Sequence, residues 1–271
     1  MTPDVEADLR ALARAGDARR PAILDYARRY ARRRLAHGLD GVWVAGLPQA
    51  RAALASRPLI FVGNHVSWWD AMLLLILDEA LGGLGWAVMD SENLRKLPFL
   101  GWLGALPLDR SSAERSQEGL QACAALLDRP GRALWIFPQG RQRPAHLRPL
   151  DLRRGVQALH ANNPVEVVTV SIDYVFLERA HPAAIVRFSA PMPGAAVAGK
   201  ALMPAVESSL VDGLAAIDLA AMAATDGRAR SNPADPFPGF VPLVRPRRLV
   251  DAEDIGGRLL GALRRRGFRA D

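Results

Sequence analysis

Between two apolar runs, residues 58–62 and 71–77, stands Gly63-Asn64-His65-Val66-Ser67-Trp68-Trp69-Asp70. An imidazole and a carboxylate in one short segment suggest acid–base chemistry. Asp70 would fix the tautomer of His65 and stabilise its charged form, leaving the other ring nitrogen to take a proton from an alcohol. The spacing sets a condition. Inside one regular helix, residues five apart point about 140° away from each other and do not meet. They meet only if His65 lies in a turn before a helix and Asp70 points back from its first turn, with Ser67 as the expected N-cap. Alone, a His-x4-Asp spacing is equally that of a capped helix start, so its surroundings must decide.

A second group lies further along. The run 132–137 ends in Phe137-Pro138-Gln139-Gly140-Arg141-Gln142-Arg143, where a Pro-x-Gly turn opens backbone N–H groups beside arginines suited to an anion. Arg148, Arg153 and Arg154 extend the basic patch. Between the two groups, Gly104-Ala105-Leu106-Pro107-Leu108-Asp109-Arg110 places Arg110 just after a short β-rich run.

These residues need a frame. Short β-rich runs at 42–44, 58–62, 85–89, 105–108, 132–137, 165–172 and 183–189 alternate with helical patterns at 69–80, 113–127 and 153–161. Several of the β-rich runs are almost continuously apolar, as strands covered on both faces are. The expected fold is therefore α/β, a largely parallel central sheet flanked by helices, with an N-terminal helical pair at residues 4–15 and 21–35. Ligands gather at the carboxyl ends of parallel strands. His65 with Asp70, Arg110 and the Gly140 turn all fall at such ends, and one crevice would take all three. A helix is expected at 205–223, then a breaker-rich segment at 226–246 and a basic helix near 254–266. The domain reading is 1–40 as basic helices, 41–224 as the α/β unit and 225–271 as a Pro/Arg-rich tail with a terminal helix.

The motifs occur in an order that resembles the glycerophospholipid acyltransferase family, whose best-known members are the lysophosphatidic acid acyltransferases. Asn64-His65-x-Ser67-x-x-Asp70 is similar to its first motif and residues 104–110 to its second. Phe137-Pro138-Gln139-Gly140 resembles the third, and Val167-Val168-Thr169-Val170-Ser171-Ile172 the fourth. The resemblance implies His65 and Asp70 as catalytic residues. His65 would deprotonate an acceptor hydroxyl that attacks an acyl thioester directly, with Asp70 orienting it and no acyl-enzyme. It also implies Asn64, Ser67, Arg110, Phe137, Pro138, Gln139, Gly140, Arg141 and Arg143 as substrate-binding residues. Acyl-CoA or acyl carrier protein would serve as co-substrate, with no other cofactor, and a lysophospholipid such as 1-acylglycerol-3-phosphate would be the acceptor. Two departures stand out. The family's third motif usually reads Phe-Pro-Glu-Gly-Thr-Arg, whereas here Gln139 replaces the Glu and Arg141-Gln142 the Thr-Arg; Thr169 stands where the fourth motif usually has Pro. They leave open a non-phosphate hydroxylated lipid or glycolipid as acceptor, or a catalytically inactive lipid-binding relative.

Composition narrows the alternatives. A chain of 271 residues, half of them hydrophobic, can bury a substantial core, so disorder and a disulfide-stapled miniprotein are excluded. The single Cys123, expected on the buried side of its helix, excludes an internal disulfide and a cysteine-type zinc cluster, which fits a reducing compartment. Net charge is +7, and lysine occurs only at 96 and 200, so arginine carries the basic character. Such a chain suits an anionic partner. The arginines are scattered and no nucleic-acid-binding motif accompanies them, which disfavours DNA or RNA. His37, His146, His160 and His181 lack partners at ligand spacing, so no metal site is expected. The missing Gly-x-Ser-x-Gly elbow disfavours a serine esterase. Spanning a bilayer takes about 20 apolar residues, whereas the run at 71–77 has seven. The acidic start, MTPDVEADLR, does not read as a signal peptide. The expected location is cytoplasmic, peripheral on an anionic membrane surface. The arginine-rich helices would supply the contact, and Trp68 and Trp69 stand either at the bilayer interface, along an acyl tunnel or in the core.

Overall fold

The computed structural model describes residues 19–161, 165–177, 179–192, 199–225 and 236–247. The chain runs α1 (Pro21–Gly38), β1 (Val42–Ala45), α2 (Leu47–Ser56), β2 (Leu59–Gly63), α3 (Trp69–Leu81), β3 (Leu84–Asp90) and α4 (Ser91–Lys96). A 3-10 turn at Pro98–Leu103 leads to β4 (Ala105–Leu108), α5 (Ala113–Ala124), β5 (Arg132–Ile136), α6 (Gly155–Ala161), β6 (Glu166–Val175) and β7 (Ala183–Phe188). The helix α7 (Leu202–Thr225) and the strand β8 (Val241–Val244) complete the described part. The helices expected at residues 4–15 and 254–266 lie outside the described residues.

All eight strands form one sheet in the order β4-β3-β5-β2-β6-β7-β1-β8. It is largely parallel, as expected: β2 pairs parallel with both β5 and β6, and β3 with both β4 and β5. Only β6–β7 and β1–β8 are antiparallel. Every residue of β2 is buried because alternate side chains enter different layers. Leu59 and Phe61 pack with Leu35, Leu54, Leu73, Ile76 and Trp135 under α1, α2 and α3. Ile60 and Val62 pack with Leu120, Val156, Leu159 and Leu210 under α5, α6 and α7. Cys123 is fully buried, and burial pushes its thiol up to about 12.

Three elements were not expected: α2, α4 and β8. α2 has too weak an apolar stripe to read. The four residues of β8 sit in the segment expected to be breaker-rich, yet they pair with β1, and Phe237 and Phe240 beside them are buried in the core. α7 is long and apolar enough to cross a membrane by length and composition. The helix was expected at 205–223, but counting uninterrupted apolar residues misses its spanning length, because Glu207, Asp212 and Asp218 break the run. In the fold, Val206, Leu210, Gly213, Leu214 and Ile217 form its buried stripe against β6 and β7, while Leu219 and Met222 face outward.

Candidate active site

The turn after β2 is fixed by its own backbone and by two buried side-chain amides. Asn64 extends the β2–β6 ladder where the strand stops. Its Nδ2 donates to the Ile172 carbonyl and its Oδ1 accepts from the Ile172 N–H, both at 2.8 Å. This commits a buried side chain to register rather than to a ligand. Gln139, also buried, ties the turn after β2 to the loop after β5. Its Oε1 accepts from the His65 N–H at 2.6 Å and its Nε2 donates to the Leu150 carbonyl at 2.9 Å. A carboxylate here would keep the first bond and lose the second, so the amide suits this loop. The Arg143 N–H donates to the His65 carbonyl at 2.8 Å.

His65 and Asp70 do meet. Nδ1–H of His65 donates to Asp70 Oδ2 at 2.6 Å, and the same oxygen accepts from the N–H groups of Val66 (2.8 Å) and Ser67 (3.0 Å). Asp70 Oδ1 accepts from the Tyr174 hydroxyl at 2.7 Å. The carboxylate side chain is 1% exposed and the imidazole 27%, so the pair has a buried end and an open end. With Nδ1 engaged, Nε2 is the nitrogen left to exchange a proton. Phe137 packs beside the imidazole, ring centroids 5.1 Å apart. Room for Phe137 comes from Gly63, where a Cβ would stand 2.7 Å from the ring. The helix is capped at Trp68 with no side-chain cap bond, so the N-cap expected at Ser67 does not form; Ser67 Oγ instead accepts from the Trp69 N–H at 3.3 Å in the turn just before the helix. Trp69 packs its ring on Gly38 of α1, while Trp68 stacks on it and stays half exposed.

The arginines are arranged differently. Gly140 takes a positive φ of 64°, and its N–H donates to the Phe137 carbonyl, closing the Phe137-Pro138-Gln139-Gly140 turn. Arg110 reaches this turn from the end of β4, donating to the Gly140 carbonyl at 3.3 Å and lying 3.6 Å from Asp90 at the end of β3. Arg141 and Arg143 share one carboxylate oxygen of Asp151, at 2.9 and 2.8 Å. The His65 turn, Arg110 and the Gly140 turn therefore sit together at the carboxyl edge of β2, β4 and β5. Three residues of this arrangement escaped sequence reasoning: Tyr174, Asp90 and Asp151. Tyr174 had a usable signal, since it continues the alternate positions Val168, Val170 and Ile172 along β6. The ion pairs of Asp151 had none.

Residues 43–173 match the protein-family model described as Acyltransferase. A Saccharomyces cerevisiae protein named 1-acyl-sn-glycerol-3-phosphate acyltransferase is 31% identical over 124 residues, 44% of this chain and 40% of the yeast protein. A Pseudomonas aeruginosa protein named lyso-ornithine lipid O-acyltransferase is 36% identical over 120 residues, 42% of this chain and 43% of the other. Over residues 43–173, just under half of the chain, this protein is similar to the glycerophospholipid acyltransferase family. Its matched stretch spans about two-fifths of the length of those curated relatives. The fold is shared with the crystal structure of the 1-acyl-sn-glycerophosphate (LPA) acyltransferase of Thermotoga maritima, at a TM-score of 0.55 and 19% identity over 72% of this chain and 80% of that one. His65, Asp70, Arg110 and the Gly140 turn all lie inside the matched region, and Tyr174 falls one residue beyond it.

Proposed function

We propose that this acyltransferase moves a fatty acyl group from an acyl thioester, acyl-CoA or acyl carrier protein, to a hydroxyl of a lysophospholipid. The observation that carries this reading is the His65–Asp70 bond, with a buried carboxylate behind a partly open imidazole. The acceptor hydroxyl gives its proton to His65 Nε2 as its oxygen attacks the thioester carbonyl carbon. The C–S bond then breaks, and the proton passes from His65 to the departing thiolate. Asp70 holds the imidazolium without taking the proton, and no side chain is acylated. Arg110 and the Gly140 turn stand where an acceptor headgroup phosphate would be neutralised.

A second reading, a non-phosphate lipid acceptor, is favoured by one specific observation: Asp151 already neutralises part of the Arg141 and Arg143 charge. The names of the two relatives also point to different acceptors. Transfer of a radiolabelled acyl group from acyl-CoA, and in parallel from acyl carrier protein, to a panel of lysolipids, with His65→Ala as the blank, tests both. Transfer at blank level with every acceptor and with both thioesters overturns the enzymatic reading. Indifference to a phosphate on the acceptor selects the second.

Peripheral membrane contact belongs to the same proposal. Tyr26 and Tyr30 lie on the side of α1 opposite its buried stripe, among Arg29 and Arg33; Trp68 is exposed, and so are Leu97, Phe99 and Trp102, which are near Arg95 and Lys96 in sequence. Apolar rings among cations suit an anionic interface. Sedimentation with anionic but not with neutral vesicles is expected; no sedimentation with either would remove this part.

A further inference from the structure

Asp70 is held from three sides by its own turn and from the fourth by a residue 104 positions away in sequence. The turn supplies the Nδ1–H of His65 and the backbone N–H groups of Val66 and Ser67, all on Oδ2. Oδ1 has only the Tyr174 hydroxyl among the described residues. That contact follows from strand register. β6 continues past the end of β2, and Asn64 clamps both backbone groups of Ile172. Two residues further on, Tyr174 points to the same face of the sheet, towards α3, and its hydroxyl arrives 2.7 Å from Asp70. Burial first, and then the neighbouring Asp70 carboxylate, hold the phenol well above its ordinary ionisation range, so it remains a donor.

We propose that Tyr174 is a positioning residue of the acyl-transfer site: its hydroxyl holds Asp70 Oδ1 so that Oδ2 faces His65 Nδ1, and it tempers how strongly Oδ2 accepts from the imidazole. A carboxylate held at one oxygen only can rotate about its last torsion, and the imidazole it orients turns with it. A buried carboxylate oxygen that loses its donor also concentrates charge on the remaining bonds. Tyr174 touches neither the reacting hydroxyl nor the thioester, so its influence must pass through Asp70.

The proposal rests on His65 as the base, and Tyr174→Phe separates the two ideas because it removes one oxygen and no packing surface. The expected result is a fall in kcat of about tenfold with KM for thioester and acceptor changed less than about twofold. The proton of the His65 Nδ1–H···Asp70 bond should also move to lower field in the proton spectrum of the folded protein. Tyr174→Phe with kcat and this resonance both as in wild type overturns the positioning role, whatever happens to thermal stability. If His65→Ala keeps full transfer, the base assignment falls. The resonance shift then still decides whether Tyr174 controls Asp70, because it is read without turnover.

Discussion

The turn after β2 and the loop after β5 meet at one edge of the sheet and are built on opposite plans. In the first, Asn64 and Asp70 are buried, joined by the buried Gln139 that reaches across from the loop after β5, and each has its polar atoms committed to backbone groups or to a neighbouring side chain. In the second, Arg141 and Arg143 lean on an exposed Asp151 carboxylate, and Arg110 on a carbonyl and a distant Asp90. Proton transfer tolerates little misplacement, so the base proposed at His65 would need just such an over-determined setting. Binding a charged headgroup needs donors that can exchange a resting partner for a ligand. Partly exposed ion pairs, individually weak, allow that exchange. On the proposed function, the same edge separates a part that must not move from a part that must re-pair.

The sharpest way to break the contrast is at the rigid side's working atom. His65→Ala is expected to lower acyl transfer by a factor of about 10²–10⁴ while leaving the unfolding midpoint close to wild type, since the ring is partly exposed. A rate within about threefold of wild type would show that proton removal does not pass through this imidazole. The next largest effect is on stability. Asn64→Ala leaves the buried N–H and carbonyl of Ile172 without their side-chain partner, at about 1–3 kcal/mol for each unsatisfied group. The expected loss is therefore about 2–6 kcal/mol, read from urea unfolding, with activity falling too because β6 carries Tyr174. An unchanged midpoint would mean that the amide does not hold the register.

The legibility of these regions in the sequence follows their physics. The strands of the central sheet announce themselves because burial on both faces demands nearly continuous apolar runs, as in residues 58–62 and 165–172. The His65 turn is legible because a base and its carboxylate must be close in sequence to share one tight turn. Long-range partners leave no local trace. Tyr174 meets Asp70 only after β6 is registered by Asn64, and β8 becomes a strand only because β1 presents an open edge. α7 is legible as a helix but not as one of membrane-spanning length: a stripe of buried positions tolerates acids elsewhere on the helix, so its apolar content never forms a run. The departure at Gln139 was visible as a lost charge. Its meaning, an amide bridging the His65 N–H and the Leu150 carbonyl, depends on a loop whose path the sequence does not dictate.

The adaptable side yields the smallest effect and the most discriminating one. Asp151→Asn keeps a side chain of the same shape and removes the negative charge that Arg141 and Arg143 share. If these arginines recruit a phosphate, Asp151 competes with it, and the variant should lower KM for a phosphate-bearing acceptor about two- to fivefold with kcat little changed. Screening fixes the cause: the gain should fade as ionic strength approaches about 1 M, where the Debye length is about 3 Å. An acceptor without phosphate should show neither the gain nor its salt dependence. A rise in KM for the phosphate-bearing acceptor would reverse the interpretation, because Asp151 would then be holding the two guanidinium groups in their binding posture. Equal behaviour of both acceptors would place headgroup recognition elsewhere on this edge, with Arg110 at the Gly140 turn as the next cation to test.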